Sequence, residues 1–175
     1  MKKMMMVVAA VAVAGVMVAE QARAMAAVPS LLMGTRSMNV SGALSDNGDD
    51  FVFSLQGSYG YFFKDFIQAG AFAGIQLIGS DYKLFSGGVF GEYNVDLGSQ
   101  LVPYVGGSVG LLWLDTEWDS DTAIEASGYG GARYFFVDYA AICAALVLNV
   151  ATEDMYNGGE DAIDWTAVLN TSWYF

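Results

Sequence analysis

The stretch that decides the fold is the final segment, Ile163–Phe175, which reads IDWTAVLNTSWYF. Its odd positions are mainly large and apolar, as at Trp165 and Leu169, whereas its even positions include the polar Asp164 and Asn170. Neighbouring side chains of a β-strand point to opposite faces, and a tilted membrane strand needs about 9 to 11 residues. This segment therefore predicts a strand with one face suited to lipid and the other suited to a polar lumen.

The same alternation recurs in seven earlier segments of similar length. An even number of antiparallel strands returns both ends of the sheet to one side, as in bacterial barrels. Aromatic residues lie near both ends of these segments, which a membrane barrel uses as girdles and the alternative, a soluble β-sandwich, does not need. We predict an all-β fold, an up-and-down, eight-stranded antiparallel transmembrane β-barrel over residues 35–175, with strands at 35–44, 51–61, 67–77, 82–95, 101–114, 124–134, 140–150 and 163–175.

The composition agrees with this fold because apolar and acidic residues must be kept apart. The chain is 55% hydrophobic and 14% aromatic, yet it has a formal net charge of -12. Beyond the first residues no uncharged apolar stretch reaches the roughly 18 residues that a membrane helix requires. A closed barrel is the other structure that pairs every backbone polar group within lipid.

The N-terminus has the pattern of an export signal. Lys2 and Lys3 precede the apolar run Met4–Val18, and Ala22 and Ala24 flank Arg23 in the small-x-small pattern that a signal peptidase accepts. The sequence therefore predicts a cleaved signal peptide at residues 1–24, followed by a lead-in at residues 25–34 before the barrel.

Three segments resemble a known family, the small porin-like outer-membrane β-barrel domains, which include the barrels of OmpA, OmpX and OmpW. The segments are GYFFKDFIQAG at Gly60–Gly70, PYVGGSVG at Pro103–Gly110 and GARYF at Gly131–Phe135. The resemblance implies a location in the cell outer membrane of a Gram-negative bacterium, with outer-membrane lipid as its surroundings. It implies no particular solute, because the family covers structural, adhesive and narrow-pore roles.

The C-terminus also resembles the family's insertion signal, an aromatic ending on an alternating strand. The resemblance implies that the barrel insertion machinery is a partner, recognising Trp173, Tyr174 and Phe175.

Catalysis is not expected. The chain has no histidine, which removes the commonest general base and the commonest metal ligand. Inward-facing hydroxyls such as Ser108, Ser127 and Ser172 have no base beside them and are expected to be ordinary polar lining. We predict a non-enzyme without a cofactor, and the strongly negative charge argues against nucleic acid as a partner.

Glu92 and Arg133 are the inward charges that we expect to meet. They lie toward the same end of two strands that one further strand separates, close enough for long side chains to touch. We predict a lumenal ion pair, with a pore gate as the functional alternative to structural pairing. The side chains of an eight-stranded barrel can just fill its interior, so a packed lumen is expected.

Glu125 and Asp164 are predicted to approach each other near the outer rim, where they would either be hydrated or hold a divalent cation. The outer connections as a group are acidic and predict one negative surface. This surface either keeps the exposed loops soluble or contacts a cationic partner or, through divalent ions, anionic lipid headgroups. The residues of these acidic outer loops are Asp115, Glu117, Asp119, Asp121, Glu153, Asp154, Glu160 and Asp161.

These observations predict an integral outer-membrane barrel with a structural or surface-contact role. The alternative is a narrow porin or channel for small solutes. That alternative requires inward-facing glycines to leave a continuous aqueous path, and the candidates are Gly70, Gly74, Gly106, Gly110 and Gly131.

Overall fold

A computed structural model describes residues 31–46, 51–78, 82–116, 120–153 and 162–175. The predicted signal peptide and residues 25–30 of the predicted lead-in lie outside this part of the chain. The described residues form one closed antiparallel barrel in which each strand pairs with the next and the last pairs with the first. The strands are β1 (Arg36–Asp46), β2 (Phe51–Lys64), β3 (Ile67–Ile78), β4 (Tyr82–Asn94), β5 (Leu101–Thr116), β6 (Ser120–Val137), β7 (Ala140–Ala151) and β8 (Ile163–Tyr174).

The fold predicted from the sequence is confirmed, and the alternation of outward-facing and inward-facing side chains explains it. In β7, for example, Ile142, Leu146 and Leu148 are exposed on the outside, whereas Ala141 and Cys143, on either side of Ile142, are buried. Large apolar side chains are exposed around the whole barrel, which is the reverse of a soluble protein. No helix in the described part of the chain is long and apolar enough to cross a membrane.

The two ends of the barrel differ in their connections. We call the turn end the one where both barrel termini meet, with connections at 65–66, 95–100 and 138–139, and the loop end the opposite one. The tightest turn includes Phe66, whose φ of 64° lies in the left-handed region that costs a non-glycine residue energy. Backbone bonds hold it there, since the Phe66 amide donates to the Leu31 carbonyl at 2.8 Å and the Asn94 amide donates to the Phe66 carbonyl at 2.8 Å.

One loop predicted at the loop end is shorter than expected. The prediction that Asp115 to Asp121 form a loop is wrong, because β5 and β6 continue outward as a hairpin with Asp115 opposite Ser120 and Leu114 opposite Asp121. The alternation of inward and outward side chains also persists in this hairpin, since Leu112 and Ala123 are buried on its inward face. Residues 117–119 alone separate the two strands.

Aromatic rings lie against several inward-facing glycines at the middle of the barrel, and the continuous aqueous path over the glycines stays a prediction. A Cβ added at Gly88 would lie 2.9 Å from Cε1 of Phe72, and one added at Gly70 would lie 2.7 Å from Cε1 of Phe90. A Cβ at Gly106 would likewise meet the Tyr129 ring. These three glycines make room for neighbouring rings.

The turn end is closed by an apolar cluster that includes the lead-in. Leu31, Phe62 and Phe135 are each 0% exposed, and they pack together with Val102, Tyr104 and Tyr174. Leu31 thus lies at the mouth of the turn end, although the sequence pattern marks it only as part of a lead-in.

Candidate functional site

The most distinctive feature of the lumen is a buried ion pair. Nη2 of Arg133 on β6 lies 2.6 Å from Oε1 of Glu92 on β4, and the side chains are 2% and 6% exposed. β5 lies between these two strands, so the contact crosses the interior rather than following one ladder. The ion pair predicted from the sequence is present, while the pore gate remains a prediction.

Glu92 has amide partners as well as the guanidinium. Its Oε1 accepts a hydrogen bond from Nε2 of Gln68 at 2.6 Å and another from Nδ2 of Asn94 at 3.1 Å. This series of hydrogen bonds extends to β1, because the hydroxyl of Ser37 donates to Oε1 of Gln68 at 2.6 Å. A buried carboxylate is costly unless it is paired and hydrogen-bonded, and here donors from β3, from β6 and from its own strand surround it.

Arg133 is held on its other side by aromatic residues. Its Nη1 donates to the Tyr174 hydroxyl at 2.7 Å, and its guanidinium lies 4.1 Å from the centroid of the Tyr104 ring. The planar guanidinium can stack its face on an aromatic ring while the N–H groups along its edge donate hydrogen bonds. Two strong partners and one ring therefore fix the cation in the middle of the barrel.

A second set of hydrogen bonds crosses the junction of β8 with β1. The hydroxyl of Ser172 donates to Oδ1 of Asn39, whose Nδ2 donates to the Ser58 hydroxyl at 2.8 Å. Ser172 also lies 3.1 Å from the thiol of Cys143, the single cysteine, which is buried. Together with the ion pair, these contacts form a polar layer that we call the lumenal floor: Ser37, Gln68, Glu92, Asn94, Arg133 and Ser172, with exposures from 0% to 7%.

Above the lumenal floor, toward the loop end, lies a cavity of about 620 Å³. Its lining mixes hydroxyls such as Ser54, Ser86 and Ser108 with apolar side chains such as Phe72 and Leu84. Glu92 and Arg133 form its lower boundary, so the cavity stops at the ion pair. The lumen is therefore divided into a packed part near the turn end and an open part near the loop end.

Glu125 and Asp164 both line this cavity, on strands that β7 separates. Each is hydrogen-bonded within its own strand, Glu125 from Ser127 at 3.4 Å and Asp164 from Thr166 at 2.8 Å. The described residues contain no group of three or more metal-ligating side chains. A divalent cation here would rest on two carboxylates alone, and it stays a prediction.

The predicted acidic surface is described in part. Asp115, Asp121 and Glu153 are exposed near the loop end, the first two on strand ends rather than in a loop. The other predicted acidic positions lie outside the described residues: Glu117, Asp119, Asp154, Glu160 and Asp161.

The three residues of the predicted insertion signal point to different surroundings. Trp173 is 41% exposed and Phe175 is 64% exposed on the outside, whereas Tyr174 is buried at 4%. Besides its bond to Arg133, Tyr174 packs against Phe135 with ring centroids 5.1 Å apart. Tyr174 therefore has an interior structural role that the terminal motif does not predict. Its place on the inward-facing register of the last strand was the available signal.

No protein-family model and no curated protein matches the sequence. Solved structures do share the fold. The N-terminal β-barrel domain of Pseudomonas aeruginosa OprF is similar with a TM-score of 0.62 and 15% identity, covering 82% of this chain and 98% of that one. Neisserial surface protein A (NspA) is similar with a TM-score of 0.57 and 17% identity, covering 81% of this chain and 96% of that one. At these identities the likeness concerns the fold, an eight-stranded antiparallel β-barrel of the outer-membrane type.

Proposed function

We propose that this chain is an integral β-barrel of the bacterial outer membrane with a structural or surface-contact role and no catalytic activity. The single observation that carries the proposal is the lumenal floor, in which a buried, hydrogen-bonded ion pair interrupts the lumen. A barrel interrupted in this way keeps its apolar outer surface in lipid without offering a water path. The absence of histidine supports the non-catalytic part of the proposal.

Conductance is the test of this role. Refolded mature protein, shown to be inserted by its heat-dependent gel migration, is added to a planar lipid bilayer. We expect electrical silence, because the packed cluster around Phe62 and Phe135 closes the turn end. Stable, reproducible single-channel steps from the unmodified protein would overturn the proposal.

The second candidate is a narrow channel, and the observation that favours it is the cavity of about 620 Å³ that reaches down to Arg133. If the ion pair is a gate, Arg133→Ala should produce conductance steps in a protein that is otherwise closed. An inserted Arg133→Ala variant that stays silent would discard the gate.

A further inference from the structure

One wall of the cavity, formed by β2, β3 and β4, lacks a side chain at Gly74. In the strand register Gln56 and Ser86 are the partners of Gly74 on either side, and Ser54 lies opposite Gln76 at the next inward level toward the loop end. A Cβ added at Gly74 would lie 2.7 Å from Oγ of Ser86 and 3.5 Å from Cγ of Gln56. All of these residues line the cavity, and we call them the polar notch: Ser54, Gln56, Gly74, Gln76 and Ser86.

The amides and hydroxyls of the polar notch are not hydrogen-bonded to protein. On the opposite wall of the cavity, by contrast, the Ser127 hydroxyl donates to Asn149 at 2.7 Å. In the same way the Thr166 hydroxyl donates to Asp164 at 2.8 Å. Among the residues that the structure describes, no side-chain hydrogen bond engages the polar notch, although an amide offers both donors and an acceptor. The polar notch can therefore donate to and accept from a molecule in the cavity.

Two phenyl rings lie below the polar notch, on the side of the lumenal floor. The Phe72 ring extends from β3 across β4 to β5, since a Cβ at Gly88 would lie 2.9 Å from its Cε1 and one at Gly110 would lie 3.0 Å from its Cζ. The Phe90 ring extends the other way, and a Cβ at Gly70 would lie 2.7 Å from its Cε1. Both rings line the cavity. A molecule in the polar notch thus has aromatic surface below it and neutral polar groups beside it.

The charges of the cavity favour an uncharged ligand at the polar notch. Arg133 is neutralised by Glu92 at 2.6 Å, and this pair belongs to the lumenal floor. The other charged residues of the lining, Glu125 and Asp164, lie on β6 and β8, whereas the polar notch on β2, β3 and β4 has no charged side chain. An anionic ligand would face carboxylates across the lumen, and a cationic ligand would find no charged group in the polar notch.

The polarity of the same wall disfavours an apolar ligand. Such a ligand would cover the amides of Gln56 and Gln76 without replacing their hydrogen bonds to water, and buried polar groups without partners are costly. A ligand with several hydroxyl groups does replace them, because hydroxyls, like amides, both donate and accept. Pyranose sugars combine a rim of hydroxyl groups with a C–H face that can lie against an aromatic ring such as Phe72.

We propose that the polar notch binds a neutral sugar. Hydroxyl groups of the sugar bond to Gln56, Gln76 and Ser86, and its C–H face lies against the Phe72 ring. The cavity of about 620 Å³ falls within the roughly 300 to 1,000 Å³ that small-ligand sites occupy. The inference rests on the proposed function, since it names the chemistry that a surface-contact role would recognise from the loop end.

The test uses methyl glycosides as probes. Refolded mature protein is held in dodecylphosphocholine, a detergent without a sugar head group, and is titrated with the methyl glycosides of glucose, galactose, mannose and N-acetylglucosamine. Saturation-transfer difference NMR follows binding. We expect saturable binding of at least one of these glycosides, about tenfold tighter than binding of cyclohexanol, glucuronate or glucosamine. Absence of saturable binding for all of them would mean a cavity that is only hydrated and would overturn the proposal. Equally tight binding of cyclohexanol would overturn the selection for hydroxyl groups.

Two matched pairs of variants locate the binding. Gln56→Leu removes an amide at similar size and should weaken glycoside binding about tenfold, while Thr166→Val on the opposite wall should change it by less than about twofold. Gly74→Val fills the polar notch and should abolish binding. Its control is Gly91→Val, at an exposed position of β4 where an added Cβ meets nothing within 4 Å, and binding there should be unchanged. Binding that ignores both Gln56→Leu and Gly74→Val would overturn the assignment to the polar notch.

Heat-dependent gel migration and conductance are measured on the same samples. A protein that does not insert, or that conducts, refutes the proposed function. An inserted, silent barrel that binds none of the glycosides refutes the sugar site alone.

Discussion

The turn half and the loop half of this barrel are built from the same eight strands, yet they differ in packing. Near the turn end the lumen is packed, its polar residues make hydrogen bonds to one another, and β1 pairs with β8. Near the loop end the lumen holds a cavity and the same two strands are unpaired. Alternation along the strands is common to both halves, so it does not by itself decide whether a barrel is filled.

Side-chain size and complementarity make the difference. The turn half places large inward side chains such as Phe62, Tyr104 and Phe135 in one layer, and Arg133 and Glu92 neutralise each other among them. The loop half places hydroxyl side chains such as Ser54 and Ser86 inward, and its apolar cluster around Leu112 is smaller. Eight strands enclose a space that large side chains fill and small ones do not.

The largest effect should come from breaking the lumenal floor at its charge. Arg133→Ala leaves Glu92 buried without its cation, and the loss of one partner of a buried pair typically costs about 3 to 5 kcal/mol. We expect the free energy of unfolding, measured by urea titration in detergent micelles, to fall by that amount.

The combined variant with Glu92→Leu and Arg133→Met sharpens this prediction. Replacing both charges by apolar groups removes the unpaired carboxylate, so the loss should be smaller than for Arg133→Ala. An equal or larger loss in the combined variant would show that Glu92 is not the source of the cost.

Leu31→Ala should have the next largest effect, about 2 to 3 kcal/mol, because it leaves a cavity against Phe62 at the turn end. Leu32→Ala is the matched control, since Leu32 is 52% exposed and its truncation should change unfolding by less than about 0.5 kcal/mol. Urea unfolding followed by tryptophan fluorescence compares the two. Similar losses for both would mean that Leu31 does not seal the turn end.

Gly88→Ala tests the level of the barrel where the two halves meet. We expect overpacking to lower the free energy of unfolding by about 1 to 3 kcal/mol. A Cβ at Gly88 would lie 2.5 Å from Cα of Gly110 and 2.9 Å from Phe72, whereas one at Gly91 on the same strand has nothing within 4 Å. Gly91→Ala should therefore be neutral. Heat-dependent gel migration over a temperature series reports both, and tolerance of Gly88→Ala would contradict close packing of the Phe72 ring.

The smallest effect concerns the paired part of the β1 and β8 junction. Ser172→Ala removes the hydrogen bond to Asn39 and should cost about 1 kcal/mol, since a typical buried hydrogen bond contributes that much. Ser86→Ala, a hydroxyl that lines the cavity, should cost less. Urea unfolding compares the two variants. A larger loss of unfolding free energy for Ser86→Ala than for Ser172→Ala would contradict the tighter packing of the turn half.

Much of the fold follows from the sequence. The strand over Ile163–Phe175 and the others agree with the structure within a few residues, because alternation is a local property of consecutive side chains. The pair of Glu92 and Arg133 also follows, because both are long, inward-facing and at similar height. The extension of the β5 and β6 hairpin does not, since Asp115 and Asp121 resemble loop residues in composition.

The sequence by itself determined the barrel, its strand number and the sides on which apolar and polar residues lie, since period and charge can be read along the chain. Only the tertiary structure decided that Leu31 closes the turn end, that Tyr174 holds Arg133, and that β1 leaves β8 after Val40. These features join residues far apart in the chain. They form only when the barrel closes and side chains from distant strands pack against one another across the lumen. A local sequence pattern does not predict such contacts.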